Sequence, residues 1–192
     1  MSTHPSTSTT PSLVELMARA DERALAGSAL ACLDRCLPLL APAPAAEVLR
    51  SLWAAVARGE DGWDHRLAEA RQAVAEGGTP TDATGALVRT MLDDAPSAWA
   101  RTPLHAWADA CSRTALALHQ DLEPASTGAP ERYRAGVTDG AGPLVSGELR
   151  RQIRVLELLV TGGPGGLRLA RDLSAEGQRV LRAVVSRRAR TA

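Results

Sequence analysis

Three of the four histidines are followed four residues later by an acid: His65 by Glu69, His105 by Asp109 and His119 by Glu123. Residues four apart on a helix share a face. Each pair therefore has the makings of a metal ligand with a second donor, or of a general base oriented by a carboxylate. A site shared by His105 and His119 is disfavoured by distance, because a helix rising 1.5 Å per residue sets them roughly 21 Å apart. Both also lie outside the apolar stripe of their helix, so the plainer expectation is decoration of a solvated face. Cys32 and Cys36 are likewise one helical turn apart, with Cys111 elsewhere in the chain. Their spacing is not a zinc-ribbon C-x2-C and no histidine lies near them, so they read as small buried hydrophobes.

Charge is divided unevenly along the chain. Residues 148–192 hold 10 Arg against 4 acids, a net +6, and residues 1–147 hold 12 Arg against 18 acids, a net −6. Such asymmetry suits a nucleic-acid contact or an acidic protein surface. It equally suits basic helices that dock on the acidic remainder of the same chain or of another subunit. Within the basic part, residues 167–180 resemble a helix-turn-helix. Leu169, Ala170, Leu173, Ala175 and Val180 take its apolar and small positions, and Gln178, Arg179, Arg182, Arg187 and Arg188 are the candidate DNA contacts. Two residues depart from the motif: Ser174 stands where the turn usually has glycine, and Gly177 lies where the recognition helix should begin. Plain helix-loop-helix packing is the competing expectation. The run Gly162, Gly163, Pro164, Gly165 and Gly166 lacks the G-x-G-x-x-G spacing of a phosphate loop and reads as a break between helices.

The elements that must position these groups are helical throughout. Apolar residues recur every three or four positions, which predicts a first helix over 12–40, ending near Pro38, and a second from about 44 to 59. A third stripe runs through Trp63, Leu67, Ala70 and Val74. Thr79 and Pro80 look like a cap and first residue of a fourth helix, with Asp82 three places after the cap; Thr102 and Pro103 look like the start of a fifth. Leu149, Ile153, Leu156 and Val160 form a sixth stripe beyond a proline- and glycine-rich stretch. No window alternates as a strand does. The four tryptophans replace the missing phenylalanines as large core groups, and Trp99, between two prolines, is expected nearer a surface or interface.

These patterns predict an all-α fold, an irregular bundle of about seven to eight helices with no sheet. The expected organisation is a disordered lead-in over 1–12, a main bundle over 13–123, a loop or hinge over 124–143, and a basic helical part over 144–192. The chain has no lysine, no asparagine and no phenylalanine, the signature of a GC-rich genome. Without lysine there is no Schiff-base nucleophile, no pyridoxal-phosphate aldimine and no P-loop lysine. An odd, small number of cysteines points to a reducing compartment. No stretch has the length and apolarity of a transmembrane helix or signal sequence. A cytoplasmic protein with no cofactor is the expectation. Its first functional reading is a non-enzymatic regulatory protein that binds a protein partner or its own copy. A DNA-binding regulator stands second, and a helical-bundle enzyme or metal- or ligand-binding protein third.

Overall fold

The computed structural model describes residues 11–40 and 48–190, apart from the side chain of Pro164. The expected helix start near Pro44 and most of the expected lead-in over 1–12 lie outside those residues. Nine α-helices and one turn of 3-10 helix, and no strand, are found among the described residues. The all-α expectation holds. The helices are α1 (Leu13–Arg19), α2 (Glu22–Cys36), α3 (Arg50–Arg58), α4 (Trp63–Glu76), α5 (Ala83–Asp93), α6 (Arg101–Asp121), α7 (Pro130–Arg134), α8 (Pro143–Thr161) and α9 (Gly163–Ala189).

The periodicity that suggests one first helix belongs to two. Ser12 and Glu15 form a capping box that starts α1. The chain then turns extended at Ala20, and the Asp21 carboxylate accepts from the Ala24 amide at 2.8 Å to start α2. An aspartate at this point offers the backbone a cap where the helix would otherwise continue. The guanidinium of Arg101 donates to the carbonyls of Ala18 and Ala20, which serves the groups that the break exposes.

Helix α2 is the axis of the fold. Every residue from Ala24 to Cys36 is buried. A helix buried on all sides must lie in the centre of its domain, and α3, α5, α6, α8 and α9 all pack on it. Its small residues set how near they come: a methyl group at Gly27 would meet Leu159 of α8 at 2.9 Å.

Several starts differ from expectation by a few residues. Asp82 itself caps α5, accepting from the Gly85 amide at 2.6 Å, in place of Thr79. Helix α6 begins at Arg101, so Pro103 is its third residue, where a missing N–H still costs nothing. The stretch 124–143 contains α7 and is tied down by Tyr133, whose buried hydroxyl accepts from the Gly128 amide at 2.6 Å and donates to the Gly140 carbonyl at 3.0 Å.

The expected break at 162–166 is a sharp corner within helical structure. Only Gly162 separates α8 from α9, and Gly163 takes a left-handed φ of 52°. A β-carbon on Gly166 would sit 2.0 Å from the Leu158 carbonyl oxygen, so the two helices meet where no side chain fits. Beyond it, α9 runs unbroken for 27 residues, and the turn that a helix-turn-helix requires does not form. Ser174 satisfies its hydroxyl within the helix, on the Ala170 carbonyl at 2.9 Å. Gly177 keeps a negative φ and faces Arg35. Both small residues let α9 approach α2; neither interrupts it.

Gly177 and Gly165 make an opposed pair. Alanine in a helix interior is worth up to about 1 kcal/mol over glycine. At Gly165 the added carbon meets open space, so Gly165→Ala should stabilise by about 0.5–1 kcal/mol. At Gly177 it would fall 2.4 Å from Arg35 Cδ, and overpacking of about 1–3 kcal/mol should outweigh the propensity gain. Urea unfolding of the two variants should shift the midpoint in opposite directions.

Candidate functional site

The chemistry-bearing side chains that the fold does bring together are not the ones that spacing suggests. Arg35 of α2 and Glu148 of α8 are both fully buried and form a two-pronged ion pair, Nε to Oε2 at 2.8 Å and Nη2 to Oε1 at 2.7 Å. Gln152, one turn further along α8, donates to Glu148 Oε1 at 2.9 Å and accepts from the Ser112 hydroxyl of α6 at 2.6 Å. Arg35 also reaches Cys32 Sγ at 3.4 Å and Ser174 Oγ of α9 at 3.5 Å. His119 of α6 closes the cluster: its Nδ1 bonds the Ala115 carbonyl at 2.7 Å, and its Nε2 lies 3.6 Å from Glu148 Oε2.

Burial alone would raise the Glu148 carboxyl above its ordinary value, but Arg35, His119 and the hydrogen bond from Gln152 hold it down to about 2. Burial opposes the charge of Arg35 too, and the Glu148 carboxylate more than restores it. The two charges are thus obligate partners. Sealed from water and with polar atoms turned toward one another, they hold α2, α6, α8 and α9 at one point.

The burial of His119 corrects its expected solvated position, because α8 packs over the flank of α6 that the apolar stripe of α6 leaves out. Its sequence neighbour Glu123 turns away. That carboxylate accepts from the Leu144 and Val145 amides at 3.0 and 3.1 Å and from Ser126 Oγ at 3.0 Å, so it caps α8. His65 and Glu69 do pair, at 3.2 Å, as exposed helix decoration. His105 is half-buried and does not pair with Asp109, which bonds Arg113 at 2.9 Å and also Arg134. Among the described residues, no group of three or more His, Cys, Asp or Glu is placed to hold a metal ion. All three cysteines are buried; burial pushes the Cys32 thiol up to about 12 and the other two well above the ordinary range.

Of the candidate DNA contacts, Gln178 points inward, donating to the Asp34 carbonyl at 2.6 Å and to its carboxylate. The reason is local: Asp34 is buried, its carboxyl is raised by burial, and the Trp53 indole at 3.0 Å and Gln178 supply its hydrogen bonds. Arg179, Arg182, Arg187 and Arg188 are exposed on α9. Trp99 is half-buried and meets the buried Trp63 edge-on at 5.3 Å between centroids.

Sequence spacing misses Arg35, Glu148 and Gln152, although a signal for each exists. Glu148 and Gln152 occupy helical positions beside Val145, Leu149 and Leu156 on the inward face of α8, and Arg35 with Asp34 interrupts a largely apolar run over 24–40. The fold and site define a class: an all-α bundle closed around one buried arginine–glutamate pair. No protein-family model, curated protein or solved structure matches the chain. No helix among the described residues is long and apolar enough to cross a membrane.

Two measurements probe the pair. Because Glu148 titrates near 2 when folded and near 4.5 when free, its contribution to stability is complete above about pH 4.5 and lost as the pH falls toward 2. Urea midpoints of the wild type should drop across that window, and Glu148→Gln should flatten the drop. Arg35→Met or Glu148→Leu alone leaves a lone buried charge and should cost about 3–5 kcal/mol. The double variant should be more stable than either single one in the same unfolding experiment.

Proposed function

We propose that this chain is a non-enzymatic interaction protein that docks an acidic protein surface, a second copy included, through its C-terminal helices. The observation that carries this reading is the outward face of α9. Arg168, Arg179 and Arg190 recur every 11 residues and Arg171 and Arg182 repeat the interval beside them, all exposed. Eleven residues are three turns, so the rows run nearly along the helix axis at about 16 Å intervals. Asp172 and Glu176 are the acids on the exposed part of the same helix. The sealed Arg35–Glu148 centre supports the reading from the other side, since its polar atoms serve one another rather than a cavity.

Duplex DNA is the competing partner for arginine rows of this kind. Electrostatics favour protein: residues 1–147 carry a net −6 and the whole chain is neutral, with a pI near 6.9, whereas a nucleic-acid-binding domain is usually strongly basic. The test compares wild type with Arg168→Glu/Arg179→Glu/Arg182→Glu at low ionic strength. Anisotropy of a labelled glutamate-rich peptide and of labelled duplex DNA, with sedimentation velocity for self-association, reads the partner. The reading expects peptide binding or self-association that weakens roughly tenfold or more in the triple variant. Binding of DNA in preference to peptide, or equal behaviour of the two proteins, would overturn it.

A further inference from the structure

Helices α6, α8 and α9 enclose an open groove of about 440 Å³ on the surface of the bundle. Leu122 at the end of α6, Leu144 of α8, and Val180 and Val184 of α9 form its apolar floor. Arg150 and Arg151 stand on the α8 bank, and Arg187 lines the α9 side. Glu123 also lines the groove, but its carboxylate is bound to the first amides of α8. Arg150 is exposed and Arg151 half-buried, and among the described residues neither guanidinium is paired with a carboxylate. Gly147, one turn before Arg151 on the same helix, leaves room for its guanidinium: a β-carbon there would lie 3.2 Å from Arg151 Nη1.

We infer that this groove is the anchor site for a short acidic amphipathic helix of a partner protein. The inference rests on the proposed reading that the chain binds acidic protein, and adds to the outward rows of α9 a second contact, the anchor for one helix of that partner. Val180 and Val184 are one turn apart with Leu144 opposite, an apolar track suited to side chains spaced i, i+3 and i+4 on a docking helix. The arginines beside the track select carboxylates flanking that apolar face, by charge complementarity and by their forked donors. A basic or purely polar segment would leave the floor uncovered or meet like charge. Nor do the chain's first ten residues have the required chemistry, for they contain no Asp or Glu.

The experiment uses the full chain and two labelled peptides of identical composition. In one, leucines repeat at i, i+3, i+4 and i+7 beside glutamates; in the other the same residues are scrambled so that no apolar face forms. The groove predicts that wild type binds the amphipathic peptide roughly tenfold more tightly than the scrambled one. Val184→Gln should remove that preference and Arg150→Glu should weaken the amphipathic peptide by a similar factor. Arg168→Glu, on the outward face of α9, should leave the preference intact. Thermal melts establish that each variant is folded, and Val184→Ala replaces Val184→Gln if the latter is not. Equal binding of both peptides, abolished only by substitutions in the outward arginine rows, would sink the groove while leaving the acidic-partner reading standing. Binding of neither peptide would sink the groove, and loss of any acidic partner or self-association would sink both.

Discussion

One guanidinium without water decides much of this structure. Arg35 is fully buried in the central helix, and a charge in that position is tolerable only if a carboxylate meets it with good geometry. Glu148 does so from α8; Gln152 donates to the same carboxylate, Ser112 holds Gln152 in place, and His119 stands 3.6 Å from the second carboxylate oxygen. Four helices are therefore tied to one another at this point, and separating any of them from the pair would leave a buried charge or a polar side chain without its partner.

Around that point the backbone is held close by small residues. Gly27, Ser174 and Gly177 stand where α8 and α9 approach α2, and Gly166 where α8 meets α9. Each looks ambiguous in the sequence, since glycine and serine also mark turns. Their role here follows from what lies opposite them: Leu159, Arg35 and the Leu158 carbonyl. The basic C-terminal helices are thus packed against the central helix on one side while presenting arginines on the other.

What was legible in the sequence was periodicity. The stripe through Trp63, Leu67, Ala70 and Val74 is buried as its spacing implies, as are Leu149 and Leu156 of the sixth. Boundaries were less so, because Asp21 and Asp82 compete with neighbours for the role of cap, and the winner depends on how the next helix packs. The stretch that resembles a helix-turn-helix lacks its turn for a related reason: Ser174 and Gly177 are small because they face Arg35 of α2, 139 and 142 residues away. Periodicity places His119 on a solvated face because it finds one apolar stripe per helix, whereas α6 is covered by α8 on a second flank. The central pair was hidden because an arginine and a glutamate 113 residues apart carry no mutual signal in the chain.

That separation has a consequence for how the protein comes into being. A chain emerging from the ribosome exposes Arg35 first, and the residue that neutralises it follows only after more than a hundred others. At roughly 5–20 residues per second, the interval is many seconds. Throughout it, the helix that will become the centre of the protein is an apolar segment bearing an unanswered charge. Nascent α2 must be shielded or remain unsettled until α8 appears, so the helix at the centre of the finished molecule is made before α8 and settles only with it.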